Sequence, residues 1–136
     1  MQLKPRFVTA KDAIAFNKRA VAGTGESYCL LNDGALKNAI AKPINRFEYN
    51  SDTDVCSLAT ATIFGLAKAH AFEQGNKRTA FVSGLYFIER NGFGYHGSIN
   101  GMNLGLKIIE LCENNASEEE LIDFLRYKFI YRVTTK

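Results

Sequence analysis

The sequence of 136 residues is poor in the features that stiffen, cross-link or anchor a chain. Only two prolines occur, Pro5 and Pro43, so most of it is free to be helical. Three cysteines, Cys29, Cys56 and Cys112, are odd in number, far apart and without CxxC spacing. They argue against a disulfide framework or a zinc site and read as free thiols in a reducing cytoplasm. No uncharged stretch approaches the ~20 residues that cross a bilayer. The first residues, Met1-Gln2-Leu3-Lys4-Pro5-Arg6, lack the apolar run of a signal peptide. A surplus of one charge is missing too. Seventeen Lys plus Arg against 14 Asp plus Glu leave +3, too little to argue by itself for nucleic acid. The expectation is a cytoplasmic protein with no membrane span and no nucleic-acid partner. What is present, 46% hydrophobic and 23% charged residues without repeat or linker, suits one compact domain over residues 1–136.

Capping and periodicity predict an all-α domain of about six helices around a central buried pair. Thr9 caps a first helix over 10–22, with Ala13, Ile14, Ala20 and Val21 apolar, stopped by Gly23-Thr24-Gly25. Asp33 caps a short helix carrying Leu36, Ala39 and Ile40, which Pro43 ends or kinks. Arg46-Phe47-Glu48-Tyr49-Asn50 then reads as a loop. No charge occurs between Asp54 and Lys68, or between Arg78 and Glu89. Runs apolar on nearly every side and too long for strands belong to buried helices, here a hairpin stopped by Asn91-Gly92. A Gly-rich loop from Gly92 to Gly101, a helix over 102–114 and a last helix capped by Ser117-x-x-Glu120 follow. The tail from Ile130 to Lys136 favours an extended form.

Between the two uncharged runs lies His70-Ala71-Phe72-Glu73-Gln74-Gly75-Asn76-Lys77-Arg78. A connection between core helices needs only turn residues, and Gly75-Asn76 suffices. Packing does not call for a His, a Glu, a Lys and an Arg here. Gly75 admits a close backbone approach, and the first-turn N–H groups of the second helix lack helical partners. With the dipole and the side chains of Lys77 and Arg78 they form an anion site, most naturally for phosphate. It is not a Walker loop, since the first glycine of that motif and the preceding strand are missing. His70, at the end of the first helix, is placed to take a proton from an attacking hydroxyl. Phe72 turns inward as an anchor. Taken singly, these residues read as a cap, a solvated face and a turn; their clustering makes the site.

HAFEQGNKR resembles the motif HxFx[DE]GN[GK]R of the Fic/Doc family, and specifically its death-on-curing (Doc) toxin branch. The flanking LNDGALKNAIAKPINRFEY and NKRTAFVSGLYFIERNGF look like the Doc-type regions before and after it, so the resemblance covers roughly residues 8–128. It implies the all-α Fic/Doc-like fold and a nucleotide-dependent transferase acting on a protein hydroxyl. Fic relatives move AMP from ATP; Doc relatives phosphorylate a threonine of translation elongation factor Tu. Carried over by position, His70 is the general base, Gly75, Asn76, Lys77 and Arg78 hold the nucleotide phosphates, and Phe72 is the structural anchor. Lys77 stands where AMP-transferring members have glycine, and Phe81 where many have a second Arg, so the resemblance favours kinase over AMP transferase. Gln74 replaces the Asp or Glu that engages Mg²⁺. Its amide oxygen brings no negative charge, which leaves a catalytically impaired nucleotide- or partner-binding protein as the alternative. The implied cofactors are ATP and, through Gln74, Mg²⁺. The implied partners are a translation factor as substrate and a small antitoxin whose disordered segment folds as a helix in a groove.

Weaker signals lie outside the motif. His96 reads as a surface-loop residue. Tyr28, Phe47 and Tyr49 either line the mouth of the pocket or cap the core. Tyr127, Lys128, Tyr131, Arg132 and Lys136 interleave aromatic and basic groups, more a solvated end than a nucleic-acid surface.

Overall fold

A computed structural model describes residues 4–95, 106, 108–111, 113–114, 117–126 and 130–132. Helix α1 (Ala10–Gly23) starts at a capping box. The Thr9 hydroxyl accepts from the Asp12 N–H, and the Asp12 carboxylate accepts from the Thr9 N–H. Helix α2 (Asp33–Asn50) is capped by Asn32, whose side-chain oxygen accepts from the Ala35 N–H; Asp33 is its first residue and not its cap. The two uncharged runs are α3 (Val55–Ala69) and α4 (Asn76–Arg90). They pack as the expected hairpin, with α2 against α3 and α1 against α4. Helix α5 (Glu118–Phe124) begins at the predicted Ser117/Glu120 box. Described residues 106, 108–111 and 113 are also helical. The all-α architecture with about six helices is thus the observed one.

Helix α2 departs from expectation. It runs through Pro43 to Asn50, and the predicted loop at 46–50 is helix. Pro43 has no N–H for the Ala39 carbonyl, yet its fixed φ is helical, so the loss is one bond. Packing offsets it. Ala39 and Pro43 are buried against α3, where Gly65 comes so close that a Cβ there would lie 3.2 Å from the Ala39 oxygen. Beyond the proline, the Arg46 guanidinium donates to both carboxylate oxygens of Glu118 at 2.5 and 2.6 Å. The Phe47 ring meets Phe7 edge-on at 6.0 Å. The helix closes at Ser51, in the left-handed region at φ 55°.

The α3–α4 crossing is the centre of the core. A Cβ on Gly84 would lie 2.4 Å from Ile63 Cγ1, so only glycine permits this approach. Leu36, Leu58, Phe87, Ile108, Leu121 and Leu125 are wholly buried around it. After Asn91 caps α4, β1 (Phe93–Tyr95) pairs antiparallel with β2 (Ile130–Arg132), with Gly94 opposite Tyr131. This small sheet was not expected, although the extended form of the tail was. Among the described residues no helix is long and apolar enough to cross a membrane. Cys29 and Cys56 are free, and burial pushes the Cys56 thiol up to about 11. Cys112, His96, Tyr127, Lys128 and Lys136 lie outside the described residues.

Candidate active site

Residues 70–75 connect α3 to α4, and several polar groups of their backbone are held by partners from other segments. His70 caps α3 in the left-handed region, at φ 48° and ψ 42°, which costs a non-glycine residue about 1–2 kcal/mol. The turn it makes sends the chain beneath the segment that follows α1. The Ala71 carbonyl accepts from the N–H groups of Leu31 (2.8 Å) and Asn32 (3.1 Å). The Glu73 N–H donates to the Cys29 carbonyl at 2.9 Å. Phe72 is buried beside Leu30. Tyr28 covers it with ring centroids 6.1 Å apart, under the Lys18 ammonium.

Asn76, the first residue of α4, grips the peptide units of Phe72. Its Oδ1 accepts from the Phe72 N–H at 3.0 Å, and its Nδ2 donates to the Phe72 carbonyl at 2.7 Å. Gly75 sits at φ +75°, and a Cβ there would lie 3.2 Å from Asn17 Nδ2 and 3.4 Å from Val21 Cγ1. A side chain is excluded both by conformation and by space. No side chain caps α4, so its first-turn N–H groups remain donors without helical partners.

Asn17 of α1 was not singled out from the sequence. It is 0% exposed, and its Nδ2 donates to the Gln74 carbonyl at 2.8 Å and to Thr79 Oγ1 at 3.0 Å. One amide thus ties α1, the connection and α4 together. Its signal was present: the buried stripe of α1 is Ala13, Asn17, Val21 at spacings of four, with one polar member.

His70, Glu73, Gln74, Gly75, Asn76, Lys77 and Arg78 line a single cavity of about 460 Å³, closed on one side by Ile109 and Glu113. The two cations do not face it unpaired. Lys77 Nζ meets Glu113 at 2.8 Å. Arg78 donates to the Ala20 carbonyl and Thr24 Oγ1, both at 3.1 Å, and to Glu26 Oε1 at 2.6 Å. The Thr24 hydroxyl, and then Arg78, hold the Glu26 carboxyl below the ordinary carboxylate range. Glu26 also escaped the sequence reading, because the turn between α1 and α2 brings it to Arg78 across more than fifty residues. Phe81 packs against the core. Phe47 and Tyr49 do not line this cavity. Among the described residues no three His, Cys, Asp or Glu side chains gather as a metal site. The carboxylates on the cavity are Glu73, displaced by one from the expected acid, and Glu113, which Lys77 occupies.

A model of the Fic/DOC family matches residues 7–88, more than half of the chain and all of the connection just described. The chain is also similar to "Protein kinase doc" of Escherichia phage P1, 28% identical over 87 residues that cover 64% of this chain and 69% of that protein. The chain belongs to the Fic/Doc family, on its Doc side.

Proposed function

We propose that this protein is a Doc-like toxin that transfers a phosphoryl group from ATP to a Ser or Thr hydroxyl of a translation factor, with elongation factor Tu as the first target to try. The reading rests on one observation: a histidine at the end of α3 and the uncapped start of α4 with its two cations line the same cavity. Similarity to a protein kinase supports it.

In this reading His70 accepts the hydroxyl proton as that oxygen bonds to the γ-phosphorus and the bond to the bridging oxygen breaks, releasing ADP. The N–H groups of Gly75, Asn76 and Lys77 receive phosphate oxygens. Asn76 contributes through its backbone, since its side chain holds Phe72. Arg78 reaches an anion only in competition with Glu26, and Lys77 only in competition with Glu113. Mg²⁺ would supply charge neutralisation at the phosphates. Glu73 and Gln74, both on the cavity, would be the groups to hold it, and a site with one unpaired carboxylate would rely on the nucleotide's own oxygens. Lys77 in the glycine position and Phe81 packed on the core favour phosphoryl over AMP transfer. Gln74 favours a second reading, nucleotide binding without transfer, in which Gln74→Asp creates activity.

The test is the intact mass of elongation factor Tu after incubation with the full chain, ATP and Mg²⁺. A gain of one phosphoryl group, lost with His70→Ala, is expected. A gain of a nucleotidyl group would mean AMP transfer. An unchanged mass that Gln74→Asp converts into a gain would establish the second reading.

A further inference from the structure

Helices α2 and α3 enclose a groove lined by residues other than those of the candidate active site. It is formed by a cavity of about 500 Å³ and one of about 190 Å³ that share Lys42, Gly65 and Lys68. Its α2 wall presents Asn38, Lys42, Asn45 and Tyr49, all exposed, at spacings of four, three and four, so they form one row along the helix. From Asn38 to Tyr49 the helix rises about 16 Å, the length of about five extended residues. Across the groove the Lys68 ammonium lies over the Phe64 ring at 5.0 Å. Arg46 and Glu118, bonded to each other, close the end against α5.

The charge is one-sided. Three cations face a single carboxylate, Glu118, and that carboxylate is already taken by Arg46. Lys42 and Lys68 have no carboxylate in the groove. The row of amides gives the second half of the recognition. Each Asn side chain offers a donor and an acceptor, which matches the alternating C=O and N–H of an extended peptide. A phosphodiester backbone would use only the donors, and a single-strand site would present several exposed stacking rings, where this one exposes Tyr49 and has its second ring, Phe64, buried and covered by Lys68. Ala67 and His70 line the candidate active site while Lys68 and Ala69 line the groove, so the last turn of α3 is a wall shared by both.

We infer that the α2–α3 groove docks an extended acidic segment of a protein and that the segment's continuation passes the end of α3 toward His70. The second half of this inference rests on the transferase reading; binding in the groove does not. The test uses the full chain and fluorescence anisotropy of a fluorescein-labelled decaglutamate, which self-repulsion keeps extended. Decalysine, a neutral Gly-Ser decapeptide and a single-stranded RNA decamer serve as comparisons. Decaglutamate binds in a salt-sensitive way, and Lys42→Glu and Lys68→Glu each weaken it about tenfold. Asn38→Ala with Asn45→Ala weakens it without changing the salt dependence. Lys11→Glu, an exposed charge on α1, leaves it unchanged. His70→Ala binds as the native chain does, so a failed transferase reading is told apart from a failed groove. Absence of decaglutamate binding, or binding indifferent to both lysine reversals, overturns the inference. So does tighter binding of the RNA decamer that the same reversals remove.

Discussion

The residues around the α3–α4 connection divide into those that hold it and those it presents. Asn17, Phe72, Gly75 and the side chain of Asn76 are used up in fixing the backbone, which leaves His70, Glu73 and Gln74 to the cavity. The Glu26–Arg78 pair belongs to neither class and responds to pH. The Glu26 carboxyl titrates lower in the fold than in the unfolded chain, because Thr24 and Arg78 both favour its charged form. Such a pair stabilises the fold above the unfolded value, near 4.5, and its contribution is lost as pH falls through the lowered folded value. Urea midpoints at a series of pH values check this. Glu26→Gln is expected to lower the midpoint at pH 7 and to match the native chain in strong acid, with the gap at pH 7 shrinking in high salt. A gap that widens in acid would show that Arg78 does not depend on Glu26.

At the scale of elements, two close crossings fix where the connection sits. Gly65 brings α3 against α2, and Gly84 brings α4 against α3 at Ile63. Added carbon at a well-packed crossing costs about 1–3 kcal/mol. Gly84→Ala is therefore expected to lower the urea midpoint by that measure with the slope unchanged. Ile63→Ala, itself destabilising, should cost less in the Gly84→Ala background than alone, since the two side chains compete for one space. Strict additivity in that double-mutant cycle would place the strain elsewhere. Helix starts were legible because a cap is local: Thr9 with Asp12, and Ser117 with Glu120, lie within one turn. The passage of α2 through Pro43 was not, because the contacts that offset the lost bond come from Gly65, Glu118 and Phe7, distant in sequence.

The whole molecule is larger than the part the family match covers. That match ends at residue 88, yet Ile108, Leu121 and Leu125 are wholly buried in the same core. Burying three such side chains contributes about 1.5–3 kcal/mol each, comparable with the total stability of a small domain. β2 also pairs with the strand that follows α4. Residues 1–95 alone are therefore expected to lose cooperative thermal unfolding by circular dichroism, while the full chain keeps it. A sharp transition in the fragment would show that the C-terminal third is dispensable for folding.

The amino-acid sequence by itself determined the helical class, the central uncharged pair and the position of the family motif between them. Each depends on patterns confined to one helix or one loop: the apolar runs after Asp54 and Arg78, and the motif from His70 to Arg78. Tertiary structure alone decided what those residues face. It placed Asn17 under the connection, set Glu26 on Arg78 and Glu113 on Lys77, and carried α2 past its proline to form the groove of Lys42 and Lys68. Those outcomes turn on distances between segments far apart in the chain, which periodicity and capping, acting over a few residues, do not encode.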